Sequence, residues 1–352
     1  MKSAEVIILG AGIIGLSLAL ELRRSGMSVL VLEKSEPGRE ASYAAAGMLA
    51  PSGGDLPPSL QPLAEASARL YPDFVLEIED ASGMKADLRS EGTILIPSPK
   101  ENPAPLAVAG ALTVEELTRL EPGLAPQRRA FLLRERSVDP RALGAAALKA
   151  ARHHGVEVAA GAHVMAVHSE GDVLCVSTAK TRYRAPLVVN CCGAWAGQIL
   201  PLALPTRPVK GQMLSVAPHR QHLITHVIRA EEVYLVPRSS GLILIGATVE
   251  EAGFDKQVNP ETIATLRRAA TGLVPELAQA RLHEAWAGLR PSTADDLPMM
   301  GATTIPGYFV ATGHFRNGIL LAPITARLMA QIIQGRAPDH DLSALSPARF
   351  SN

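Results

Sequence analysis

Cysteine is scarce in this chain: Cys175, Cys191 and Cys192 are the only three in 352 residues, and no two form a C-x-x-C pair. That count excludes a disulfide framework and a cysteine-built zinc site, and it suits a reducing, cytoplasmic setting. Net charge is missing too. The 34 Lys and Arg balance the 34 Asp and Glu, and no basic run exceeds two residues, which argues against the basic stripe of a nucleic-acid binder. Long apolar runs are also absent. The stretch from Val6 to Leu20 is uncharged, but it is too short to span a bilayer comfortably, glycines interrupt it, and no small-residue cleavage site follows. The expectation is a protein without a membrane anchor. There are no repeats and no low-complexity tract. At 47% hydrophobic and 19% charged, the chain has core enough for two domains, or for one large fold with an inserted lobe.

The chain opens with alternating strand and helix signals. Glu5–Leu9 is a short apolar strand, Ile13–Ser25 has helical spacing ending at Gly26, and Val29–Leu32 is a second buried strand. These form a βαβ unit. A Gly- and Pro-rich loop follows to about residue 60, then a helix over 61–82. Thr113 with Glu116 predicts a capping box, and Asp139 followed by Pro140 predicts a second capped helix. The stretch "APLVVNCCGAWAGQIL" reads as strand, glycine turn and helix start. The middle is rich in antiparallel strand patterns with one helix among them. A last strand, "GYFVATG", leads into a helix opening on Asn317-Gly318. Because β-rich segments interrupt the α/β pattern twice, the domains are expected to be discontinuous: 1–84, 141–206 and 285–352 in one, 85–140 and 207–284 in the other.

The first unit contains G-x-G-x-x-G as Gly10, Gly12 and Gly15, between a strand and a helix, with Glu33 eighteen residues beyond Gly15 at the end of the next strand. That context is what a dinucleotide site requires. Gly10 makes the tight turn, Gly12 admits a pyrophosphate, and Gly15 lets the helix pack on the strand. The helix N-terminus supplies donors and partial positive charge, and Glu33 can accept from ribose hydroxyls. Recurrence of αβ elements at about 141–200 and 307–333 favours a flavin fold closing around a long cofactor over a compact NAD domain.

Two arginines stand near the end. Arg290, in "EAWAGLRPST", is placed between an apolar strand and a Pro-led turn. Arg316, in "ATGHFRNGILLAP", precedes an apolar helix and reads as a buried cation in need of an anion. Either alone reads more readily as a structural ion-pair partner than as a ligand contact. Together, at strand ends near a cofactor, they suit a bidentate carboxylate clamp. The histidines at 153, 154, 219, 222 and 226 fall on a helix end and a loop, without carboxylates to orient them as ligands, and read as solvated; no metal is expected.

The segments "IILGAGIIG", "AAAGML", "VKGQMLSV", "VYLVPRSSG", "AWAGLRP" and "GHFRNGILLAP", in order from residue 7 to 323, resemble the FAD-dependent amino-acid oxidases of the D-amino-acid oxidase type, and within them the glycine oxidases of thiamine biosynthesis. The resemblance implies an α/β fold: a Rossmann-like FAD-binding domain with an inserted α+β substrate domain on an antiparallel sheet. It implies that Ile13, Ile14, Glu33 and Lys34 touch the ADP half of FAD, and that Ala41, Ser42, Ala46, Gly47 and Met48 line the pyrophosphate and flavin. Val164 would meet the adenine through its backbone. His314, Phe315, Arg316, Asn317, Gly318, Ile319 and Leu320 would wrap the pyrimidine end. Arg290 would hold the substrate carboxylate, with Tyr234, Arg316 and Met48 beside it. From the residue alone, Tyr234 is equally a strand aromatic with a solvated hydroxyl. Ala41 and Tyr43 depart from the hydroxyl residues usual in the relatives. No cysteine lies close in sequence to either arginine, so the FAD is expected to be non-covalent.

The implied reaction is oxidation of glycine or another small amine by O2, without a side-chain base, in a homotetramer. Three rivals stay open: a dehydrogenase of larger D-amino acids reducing a quinone, an oxidase of a modified tRNA base, and a flavin-binding protein without redox turnover.

Overall fold

The computed structural model describes residues 4–51, 56–98, 110–127 and 129–350. One sheet has six strands in the order Met299–Ala302, Tyr308–Thr312, Leu187–Asn190, Val6–Leu9, Val29–Glu33 and Glu157–Ala160. All neighbours are parallel except the first pair. Strand alternation sets its layers. Val6, Ile8, Val29 and Val31 pack with the helices Ile13–Arg24, Pro140–His153 and Gly318–Ile333. Ile7, Leu9, Leu30 and Leu32 pack against a small sheet of Val164–Glu170, Val173–Thr178 and Arg182–Ala185. A strand covered on both faces needs an unbroken apolar run, which is how "VIIL" and "VLVL" read.

The second sheet has eight strands, in the order Arg281–Ser292, Arg207–Ala217, Ile243–Gly246, Tyr234–Pro237, Val227–Arg229, Thr93–Leu95, Ala130–Leu133 and Gly110–Leu112. Only Val227–Arg229 with Thr93–Leu95 is parallel. Leu214, Val216, Ile243 and Ile245 cover one face with the helix Pro260–Leu273. Met213, Val236 and Leu244 turn the other way, into a cluster with Ala46, Met48 and Tyr234.

Both expected helix caps form. Thr113 and Glu116 bond reciprocally, and the Asp139 carboxylate accepts from the Arg141 and Ala142 amides. Two expectations need correction. "GAWAGQ" is a short 3-10 turn, not the start of an α-helix. The strands Arg182–Ala185, Val227–Arg229 and Met299–Ala302 are additions to the strands named from the sequence. The strand carrying Arg290 does not end at a Pro-led turn but continues through Pro291 to Ser292. Pro291 lies opposite Pro208, where neither missing N–H is asked to bond across the pair, and its carbonyl faces outward to accept from the Phe315 amide at 2.7 Å. That bond joins the two arginine segments.

Two helices tolerate internal prolines because side chains take over the orphaned carbonyls. Pro72 cannot donate to Ala68, whose carbonyl accepts from Arg136 at 3.4 Å. Pro323 cannot donate to Ile319, whose carbonyl accepts from the buried Tyr71 hydroxyl at 2.8 Å. Ser67 then inserts its hydroxyl between the Leu320 carbonyl and the Ile324 amide. The first turn of the last helix is therefore fixed from outside its own ladder.

Candidate active site

A cavity of about 1810 Å³ lies between the two sheets, at the C-terminal ends of the parallel strands. It exceeds the roughly 300–1,000 Å³ of a drug-sized pocket, as a dinucleotide with a substrate requires. Every site residue named from the sequence lines it except Gly15. Gly15 is a packing position, where a Cβ would stand 2.1 Å from the Gly10 carbonyl oxygen. Gly10 has φ +98°, and a Cβ there would meet the Cys191 carbonyl oxygen at 2.6 Å.

Gly12 differs from both. Its φ of −73° suits any residue, and a Cβ there would have only the Ser42 hydroxyl nearby, at 3.3 Å. Protein contacts do not require glycine at this position. A ligand approaching the turn does, and the absent side chain leaves the cradle that a pyrophosphate would fill. FAD therefore fits the residues present.

Nearby groups shape the turn more than the sequence implied. The Glu33 carboxylate accepts from the Ala11 amide at 2.9 Å and the Ser35 amide at 3.0 Å, leaving its remaining lone pairs for a ribose. The Ser42 hydroxyl accepts from the Ile13 amide at 3.0 Å, so that N–H is already engaged within the protein. Lys34 sets its ammonium 3.2 Å from the centre of the Trp195 ring; burial lowers its pKa. Val164 lines the cavity from its strand, with its side chain buried in the core behind. Cys191 and Cys192 line this end, and burial pushes the Cys192 thiol up to about 12.

The segment 41–48 crosses between the sheets. Ala44 rests on Gly288, where a Cβ would come within 2.3 Å of the Ala44 Cβ, and Trp286 donates to the Ala44 carbonyl at 3.1 Å. Gly47 has φ +77°, and a Cβ there would sit 2.0 Å from the Val138 carbonyl oxygen. Arg238, 4% exposed, donates to the Ala46 carbonyl at 2.6 Å. Tyr43 stacks on the Arg39 and Arg141 guanidinium groups.

On the cavity face of the second sheet, two glycines form a floor. Gly246 lies opposite Tyr234 and Met213, and a Cβ there would be 2.7 Å from the Tyr234 hydroxyl. Gly211 lies two residues before Met213 on the neighbouring strand, and a Cβ there would be 2.3 Å from Nη1 of Arg290. The tyrosine and the arginine lie flat over these gaps and converge. Tyr234 donates toward the Met213 sulfur at 3.6 Å, and burial raises its pKa while Arg290 and Arg316 draw it back. Nη1 of Arg290 donates to the carbonyls of Thr248 at 3.0 Å and Lys210 at 3.3 Å. Burial and the like charge of Arg316 lower its pKa, so an anion there would gain from both cations.

Arg316 corrects the sequence reading: it is exposed, not buried, with its guanidinium 5.1 Å from the Phe315 ring centre. Its position on the cavity wall, rather than burial, connects it to the site. His314 is 2% exposed, shares a hydrogen bond of 3.1 Å with Thr325, and has its pKa lowered to about 4 by burial. It is a neutral wall residue. His226 is a second correction. It is buried, and its Nδ1 lies 2.7 Å from the Glu121 carboxylate, a structural pair rather than a solvated ring. Among the described residues, His168, Glu170 and Cys175 bring potential metal-ligand atoms within 4.8 Å of one another, but Glu170 already pairs with Arg184 at 2.6 Å.

Gly211, Gly246, Gly288 and Arg238 were not singled out from the sequence. The signal for the glycines was present, since a glycine inside a strand pattern marks a close approach. A small residue at 211 has a direct consequence. Gly211→Ala is expected to push the flexible Arg290 side chain aside, raising KM for a carboxylate substrate about tenfold or more while the melting temperature stays nearly unchanged, because misplacement of about 1 Å can cost roughly a hundredfold. Steady-state kinetics with thermal denaturation check it.

A dinucleotide turn joined to a cationic, glycine-floored pocket defines a two-sheet flavin oxidoreductase. The chain belongs to the FAD dependent oxidoreductase family, which matches residues 5–332. It is 33% identical to the glycine oxidase of Pseudomonas aeruginosa, over 98% of this chain and 99% of that one. It is 35% identical to the bifunctional protein ThiO/ThiG of Trichormus variabilis over 98% of this chain; it spans 55% of that relative's length. Its fold is similar to the crystal structure of glycine oxidase from Geobacillus kaustophilus, with a TM-score of 0.94, 31% identity and full coverage of both chains.

Proposed function

We propose that this protein oxidises glycine and similar small amines: glycine, O2 and water give glyoxylate, ammonia and hydrogen peroxide. Arg290 and Tyr234 converging over the glycine floor, beside the dinucleotide cavity, carry this reading. The Gly10–Gly15 turn, Glu33, Lys34, the segment 41–48, Val164 and residues 314–320 would hold FAD non-covalently. When bound, FAD supplies the two-electron acceptor chemistry.

The chain's own contribution is placement. Arg290 takes the substrate carboxylate, with Arg316 adding positive field and Tyr234 a hydroxyl donor, which fixes the α-carbon and leaves the free amine unclamped. Met48 and Met213 form an apolar wall that limits water around that carbon. No carboxylate or imidazole lies among these contacts to act as base, and positioning carries the step. We take the domains as 1–84, 141–206 and 285–352 for the cofactor and 85–140 with 207–284 for the substrate; the two separate sheets support this division except at 285, where the strand Arg281–Ser292 of the second sheet crosses the boundary. A homotetramer in the cytoplasm belongs to the same reading.

The purified yellow protein is expected to release peroxide with glycine, and at differing rates with sarcosine, D-alanine and D-proline. Dye reduction without peroxide would favour the quinone-linked dehydrogenase. Flavin that none of these amines bleaches under anaerobic conditions would sink the amine-oxidase reading. The name ThiO/ThiG among the relatives favours a supply role in thiamine thiazole synthesis, which complementation of a thiamine auxotroph tests.

A further inference from the structure

Arg290 is held by two main-chain carbonyls, and what fixes those carbonyls is a polar network at the back of the site. After the strand Ile243–Gly246 the chain does not leave the sheet. It runs on beside Arg207–Ala217, with Lys210 and Glu250 exchanging amide-to-carbonyl bonds at 2.9 Å each. The Thr248 hydroxyl accepts from the Gln212 amide at 2.9 Å and donates to the Glu250 carboxylate. Gln212, 1% exposed, donates its side-chain nitrogen to both Glu250 oxygens, at 2.9 and 3.2 Å. Its amide oxygen accepts from the Asn259 backbone at 2.7 Å, at the cap of the next helix. Glu250 therefore receives bonds from two side chains, and one of them belongs to the residue whose carbonyl holds Arg290. The carboxylate also favours the charged form of that arginine.

We infer that Glu250, acting through Thr248 and Gln212, is the positioning residue of the substrate-carboxylate clamp: it fixes the Thr248 peptide so that its carbonyl meets Nη1 of Arg290, and it supplies the counter-charge that lets a largely enclosed guanidinium wait for an anion. It touches neither the cavity nor the cofactor turn, and it is not among the cavity-lining residues. An apolar surround for that arginine would leave its charge uncompensated between turnovers. A carboxylate in direct contact would compete with the substrate. One held two bonds away does neither. This inference rests on the proposed function, since the clamp needs a carboxylate substrate.

The test uses Glu250→Gln, which keeps size and an acceptor oxygen but removes the charge, and Thr248→Val, which removes the hydroxyl. Both are purified with FAD bound. Calorimetric titration with glycolate, the hydroxy analogue of glycine, reads clamp affinity without turnover. Both variants are expected to bind glycolate about tenfold more weakly and to show a matching rise in KM for glycine, with kcat and FAD content within about twofold of wild type, as for loss of binding shared by ground and transition states. Thr248→Ser should restore wild-type affinity. Unchanged glycolate binding in Glu250→Gln would overturn the inference, as would a fall in kcat or FAD content with affinity intact. If Glu250→Gln does not fold, Thr248→Val against Thr248→Ser decides by the same readout. A wild-type protein that neither binds glycolate nor is reduced by glycine would sink the proposed function, and this inference with it; a responsive wild type with unaffected variants sinks this inference alone.

Discussion

Replacing Arg290 by alanine is expected to lower kcat/KM for glycine by about 2–5 kcal/mol, the range for truncating one partner of a buried charge pair, or roughly 30- to 5,000-fold at about 1.36 kcal/mol per decade. FAD content should not change. The two carbonyls that hold this arginine, at Lys210 and Thr248, belong to the second sheet and its continuation, and none of the Gly10–Gly15 contacts involves it. Arg316 cannot replace it, because Arg316 is exposed at the cavity wall, where water screens its charge. Arg290→Lys should recover only part of the loss, since an ammonium restores charge without the two-pronged geometry. Steady-state kinetics with the flavin absorbance spectrum decide this. A variant with wild-type kcat/KM and normal flavin would place the clamp elsewhere.

The proposed cofactor half of this site was readable in the sequence because its determinants are local. Gly10, Gly12, Gly15 and Glu33 span one βαβ unit, and Asp139 and Thr113 cap helices through bonds two or three residues away. The substrate half was readable only as a list of residues. Arg290 meets Lys210 and Thr248, 80 and 42 positions away, and no periodicity within either strand states that pairing. The floor at Gly211 and Gly246 is likewise a property of strands side by side.

The misreadings have the same origin. Pro291 was taken for a turn because proline punctuates locally, whereas its pairing with Pro208 removes the objection to a strand. The short strand Val227–Arg229 survives on its neighbours on either side, Thr93–Leu95 and Tyr234–Pro237, the first of which lies more than 130 residues earlier in the chain. Arg316 was read as buried from the apolar helix after it, although the helix begins only at Gly318. His226 passed as solvated because its partner Glu121 is 105 residues away.

Gly12→Glu is expected to give a folded protein without flavin. Backbone conformation does not oppose the change, with φ −73° at that position, and the nearest obstacle to a Cβ is the Ser42 hydroxyl at 3.3 Å, a group that needs to yield only slightly. The glutamate would, however, project a carboxylate toward the diphosphate. Like charges about 4 Å apart at an effective dielectric near 20 repel by about 4 kcal/mol, roughly a thousandfold in affinity. Gly15→Ala should behave in the opposite way. Its Cβ would stand 2.1 Å from the Gly10 carbonyl oxygen, an overlap that no side-chain motion relieves, so the apoprotein itself should lose stability by about 1–3 kcal/mol or more. Denaturant titration of the two apoproteins, with FAD binding followed by fluorescence quenching, separates the roles. Gly12→Glu that purifies yellow with wild-type FAD content would mean that the pyrophosphate does not approach this turn. A Gly15→Ala apoprotein as stable as wild type would mean that the helix does not pack on the strand as closely as that contact requires.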